Sequence, residues 1–164
     1  MPPAGERRGR NRREKMINLQ KTLLAGLGTA ALAGCATVEE KVAERAGDTF
    51  RTTLLGSEEV GGGDADGYGS AEISISDEFG QVCWDLNGIR GIGPITAAHI
   101  HRGARGTNGP PVFTLRPANE GGYKGCADGS EWTQDRIEDN PSAFYVNVHT
   151  AEYPAGAIRG QLSR

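Results

Sequence analysis

Apolar and polar residues alternate in short runs through the second and later thirds of the chain. Ala71, Ile73 and Ile75 occupy every other position of residues 71–76, and Val82, Trp84 and Leu86 do the same over residues 81–87. Successive side chains of an extended strand point to opposite faces, so a period of two predicts strands with one buried face. Between them, Asp77-Glu78-Phe79-Gly80 has the length and composition of a hairpin turn. Residues 49–55 are β-branched and apolar and predict an earlier strand, followed by a glycine-rich loop at 61–67. Further strands are expected over 95–101 and 111–115, joined by a loop at 103–110, and over 144–149 and 157–162, flanking a loop with Pro154 and Gly156. In the last pair Phe144, Val146 and Val148 share the face assigned to the core, with Ile158 and Leu162. Tyr145, Asn147, His149 and Arg159 then fall on the other face. Residues 130–137 alone read as a helix, with Ser130 as N-cap and acids in its first turns. Short strands without a βαβ rhythm predict an all-β antiparallel sandwich or barrel with at most one short helix.

Composition supports this reading, with 25 glycines and 37% hydrophobic residues among 164. Charge changes the picture at the front of the chain. Residues 1–34 carry seven Lys/Arg against two Asp/Glu, so the rest holds −8 of a chain total of −3. An acidic domain repels nucleic acid and anionic membrane surfaces, and no nucleic-acid partner is expected. The basic segment leads through Lys21 into an apolar run at 22–32, too short for a comfortable permanent span. That run ends in Leu32-Ala33-Gly34-Cys35, which resembles the bacterial lipobox. The resemblance implies a lipoprotein signal over 1–34, cut before Cys35, whose thiol takes diacylglycerol and palmitate-type chains. A plain secretory signal with a chance cysteine is the alternative. Translation from Met16 would give a signal of ordinary length. Residues 35–47 are then a lipidated tether, and 48–164 the folded domain.

Cys35 removed, Cys83 and Cys126 remain as an even pair in an oxidising compartment, and a disulfide between them is expected. Two free buried thiols, or a catalytic thiol, are the alternatives.

Three stretches carry a family likeness. His99-Ile100-His101-Arg102-Gly103 with Gly106-Thr107-Asn108-Gly109-Pro110 resembles the centre of the CHRD domain, the module named for chordin. The run from Tyr145 to Leu162 resembles its C-terminal signature. Leu55-Gly56-Ser57-Glu58-Glu59-Val60 resembles its N-terminal one, with Gly61-Gly62 where prolines are usual. The likeness spans about residues 48–164. It implies an immunoglobulin-like or superoxide-dismutase-like β-sandwich, often exported in bacteria, with no established catalytic activity.

All three histidines lie in these motifs. His99 and His101 are two apart on a strand and share a face, with Ile100 on the other. His149 lies opposite Ala157 or Arg159 in the last hairpin. If these strands are neighbours, His99, His101 and His149 converge outside the core, in a set suited to copper or zinc. A two-metal dismutase needs more histidines than the chain has. The competing reading gives the histidines hydrogen bonds to backbone carbonyls or to Asp85, Glu152 or Glu58. Arg159 and Glu152 are expected as a structural ion pair or turn clamp, Trp84 as core, and Gly103, Gly106 and Gly109 as a tight loop. Gly-x-Ser-x-Gly and Walker patterns are absent from the sequence.

Two functions follow from these residues. The first is a non-enzymatic binding or envelope-structural module, held in the cell envelope by its lipid and facing the periplasm or exterior. The second is a periplasmic copper- or zinc-binding protein, or a mononuclear copper redox enzyme, built on the three histidines.

Overall fold

A computed structural model describes residues 47–164. The proposed signal and tether, including Cys35, lie outside the described residues except for Gly47. The domain contains eight strands: β1 (Asp48–Leu55), β2 (Tyr68–Ser76), β3 (Gln81–Arg90), β4 (Ile95–Arg102), β5 (Pro111–Leu115), β6 (Tyr123–Asp128), β7 (Phe144–Thr150) and β8 (Ile158–Gln161). One α-helix, α1 (Glu131–Asp139), sits between β6 and β7. Among the described residues the expected all-β class with at most one short helix is what is seen.

The strands form one antiparallel sheet in the order β5-β4-β7-β8-β1-β2-β3-β6. Its centre is thinly bonded. β1 and β8 share a single register pair, Leu55 with Arg159, supplemented by the bridge between Arg51 and Ser163. The sheet therefore consists of two four-stranded halves that curl around one core, a nearly closed barrel with sandwich character. Its two edges approach each other. Trp84 on β3 donates from Nε1 to the Arg116 carbonyl just beyond β5 (3.1 Å) and meets the Phe113 ring edge-on at 5.8 Å. Covering an edge in this way removes a template for unwanted strand pairing.

The predicted alternation accounts for the core. Phe50, Leu54, Ile73, Ile75, Val82, Trp84 and Leu86 come from one half, and Ala98, Ile100, Leu115, Val146, Val148 and Ile158 from the other. Leu162, just beyond β8, joins them. Each of the larger side chains contributes about 1.5–3 kcal/mol by leaving water. Helix α1 begins where the sequence indicates, with Ser130 Oγ accepting from the Thr133 amide at 3.2 Å, and it places Ile137 in the core.

One strand has only a faint signature in the alternation. β6 reads Tyr-Lys-Gly-Cys-Ala-Asp, with a glycine and little apolar surface. It is held by pairing with β3, where Cys126 faces Cys83 and the two form the expected disulfide. Gly125 lies beneath Trp84, where an added Cβ would stand 3.1 Å from the indole.

Candidate metal centre

The site lies on the face of β4, β7 and β8 turned away from the core. β4 and β7 are neighbours, in a register that pairs Ala97 with His149, His99 with Asn147 and His101 with Tyr145. Across β7, Asn147 pairs with Arg159 of β8 and Tyr145 with Gln161. The alternation that sends Ile100, Val146, Val148 and Ile158 inward sends His99, His101, Tyr145, Asn147, His149 and Arg159 to this outer face.

Most of this outer face is out of water. Tyr145 and Arg159 are each 1% exposed, Asn147 2% and His101 9%, whereas His99 and His149 are half-buried. The cover comes partly from the β4–β5 loop at 103–110. Gly103 donates to the Ala143 carbonyl (2.8 Å), and the Arg159 guanidinium donates to Ala104 O (3.1 Å) and Asn108 Oδ1 (3.3 Å). Arg105 of the same loop pairs with Glu58. Gly109 has to be glycine, because a Cβ there would fall on the Arg102 carbonyl oxygen.

The three imidazoles form a triangle, with ring centroids 5.5 Å apart for His99 and His101, 5.1 Å for His99 and His149, and 5.8 Å for His101 and His149. One ring nitrogen from each lies within 4.8 Å of the other two. Around a single ion with bonds of about 2.1 Å, ligand nitrogens stand roughly 3.4–4.2 Å apart, a spacing reached from here by ring rotation.

Backbone carbonyls set the tautomers. His101 Nδ1 donates to Gly109 O (2.8 Å) and His149 Nδ1 donates to Pro154 O (3.1 Å). A carbonyl only accepts, so both protons are on Nδ1 and the Nε2 lone pairs are free. His101 Nε2, His149 Nε2 and His99 Nδ1 are all buried without a hydrogen-bond partner. Burial lowers the pKa of each imidazole, and the neighbouring imidazoles lower that of His99 further. Near neutral pH the rings are therefore uncharged, the form that binds a metal.

A stack backs the triangle on one side. Tyr145 lies nearly parallel to the His101 ring at 5.0 Å, and the Arg159 guanidinium sits 3.5 Å from the centre of the Tyr145 ring. The Tyr145 hydroxyl accepts from the Gly109 amide (3.2 Å), tying the stack to the loop that fixes His101. Close by, Glu59 fills the space beside Gly156, which has a positive φ of 145°. Its Oε1 is buried and unpartnered, and burial lifts its pKa to about 7 against the opposing pull of Arg159.

A model of the CHRD domain family matches residues 50–162, nearly the whole described domain. The chain belongs to the CHRD family. Searches of curated proteins and of solved structures find no match. Membership suggests a binding or structural module and leaves the ligand to be argued from the site.

The CHRD domain brings His99, His101 and His149 together because β4 and β7 are neighbours. Of the hydrogen-bond partners expected for them, backbone carbonyls are used and the named carboxylates are not. Asp85 pairs with Lys124 and Glu58 with Arg105, and the histidines use the Gly109 and Pro154 carbonyls. Arg159 and Glu152 form no ion pair. Arg159 turns into the 103–110 loop, where two oxygens and an aromatic face satisfy it, while Glu152 stays exposed in water. Gly103 and Gly109 form the expected tight loop, and Trp84 is core. Asn147, Tyr145 and Glu59 were not singled out from the sequence as site residues. For Asn147 and Tyr145 the only signal was the shared strand face.

Proposed function

We propose that this CHRD domain is a metal-binding module of the cell envelope, holding one copper or zinc ion through His99, His101 and His149. One observation carries the reading: three clustered imidazoles that offer one nitrogen apiece within 4.8 Å of one another, each ring keeping a buried nitrogen without a partner. An unpaired polar atom in the interior costs about 1–3 kcal/mol. Three together in one place make sense when an ion satisfies them. The donor chemistry agrees, since imidazole suits both Cu and Zn and three histidines leave a fourth position open.

Isothermal titration of chelator-treated protein with Cu(II) and Zn(II) tests this. The wild type is expected to bind one equivalent, with binding lost in His101→Ala and in His149→Ala. Equally weak binding by all three proteins would show the histidines to be structural.

The module is carried on a lipid at Cys35, a reading supported by the Leu32-Ala33-Gly34-Cys35 stretch after an apolar run. Cys35→Ala should accumulate as unprocessed precursor or leave the membrane fraction. Normal processing and partitioning of that variant would refute the anchor.

A further inference from the structure

Asn147 is the least explained side chain of the domain. It is 2% exposed, and its Oδ1 is fully buried with no hydrogen-bond partner. Its neighbours are known from the register: His99 directly opposite on β4 and Arg159 directly opposite on β8. Arg159 does not satisfy it, because that guanidinium is engaged by Ala104 O, Asn108 Oδ1 and the Tyr145 ring.

The geometry of the triangle gives Asn147 a place. His101 and His149 belong to the register pairs on either side of the His99–Asn147 pair. Side chains in register pairs two apart along a strand are separated by nearly 7 Å per step, so these two rings start far apart. Their centroids are nonetheless only 5.8 Å from each other. They lean together across the His99–Asn147 pair, which puts Asn147 between them in the register of the outer face. A buried Oδ1 on the strand between those histidines is a hydrogen-bond acceptor without a donor. Amide oxygen is a poor direct ligand for copper or zinc, which prefer nitrogen and sulfur, but it readily accepts from a water molecule bound to the ion.

We infer that Asn147 positions the fourth ligand of the site, its Oδ1 accepting a hydrogen bond from a metal-bound water. This rests on the three-histidine reading above and adds the identity of the remaining ligand. Asn147 is a positioning residue here, acting through the water on the ion.

The test separates this role from a merely structural one. In Asn147→Leu, a near-isosteric change, the buried acceptor disappears. The metal-free variant should melt at least as high as metal-free wild type, because an unsatisfied polar atom has been removed. Its affinity for Cu(II) should fall by about tenfold, the loss of one hydrogen bond to the bound ligand shell. Proton ENDOR of the Cu(II) wild type, compared in H2O and D2O, should show exchangeable couplings of a bound water, altered in the variant. A metal-free variant that melts well below wild type while binding Cu(II) equally tightly would make Asn147 structural and overturn the inference. Lower affinity with no strongly coupled exchangeable protons in the wild type, beyond the weak couplings of the imidazole N–H groups, would overturn the water assignment. Failure of the wild type to bind Cu(II) at all would fall on the three-histidine reading itself, and the inference would fall with it.

Discussion

A single carboxyl shows how much one residue's surroundings matter in this domain. Glu59 is held against Gly156, and burial raises its pKa to about 7 despite the nearby Arg159. The folded state thus keeps a proton that the unfolded chain has already lost above pH 4.5. Stability should be highest below the unfolded pKa and fall as pH rises through about 7, beyond which the penalty is constant. Glu59→Gln removes the titration. Urea denaturation at pH 4.5, 6 and 8 should give a variant whose midpoint exceeds wild type at pH 8, with the gap closing towards pH 4.5. Parallel midpoints across that range would mean that Glu59 is solvated. The histidines behave in the opposite sense. Their lowered pKa values mean that the unfolded chain takes up protons first, so their contribution to stability is lost as pH falls below 6.5.

Among the elements, β6 adds a covalent link to modest packing of Tyr123 and Ala127 against the core. Its alternation is weak, because Gly125 sits between the core-facing Tyr123 and Ala127, so the pattern that reveals the other strands is faint here; the Cys83–Cys126 bond and pairing with β3 help put it in place. A closed loop of this separation, 43 residues, is worth roughly 3–4 kcal/mol in the chain-entropy account. The double variant Cys83→Ser, Cys126→Ser should lose about that much stability, and the amides of 123–128 should exchange fastest. Slow exchange there in the double variant would show that backbone pairing suffices. The other strands were legible for a physical reason: a one-sided core imposes a period of two, and that period survives in the sequence. The same rule put His99, His101 and His149 on one face. It could not show that β4 and β7 are neighbours, because their pairing joins residues far apart in the chain. Nor could it show the Gly109 and Pro154 carbonyls, which depend on how two loops close over the sheet. Opposite charges suggested a pair between Arg159 and Glu152, but a buried guanidinium goes where fixed oxygens and a ring await it.

At the scale of the whole domain, the sheet is two four-stranded halves around a shared core, joined between β8 and β1 by one register pair and the Arg51–Ser163 bridge. The three histidines belong to the β5-β4-β7-β8 half and the disulfide to the β1-β2-β3-β6 half. One half therefore carries the disulfide and the other the proposed three-histidine site, and the two share no strand. Perturbations at sites without common partners generally add. Reducing the disulfide and withdrawing the ion should then act as independent events. In a four-way comparison of oxidised or reduced protein, with or without Cu(II), the coupling free energy should stay within about 0.5 kcal/mol of zero. With the proposed ion in place, such a protein would lose its covalent link to a reductant and still keep the ion, or give up the ion to a chelator and keep the link.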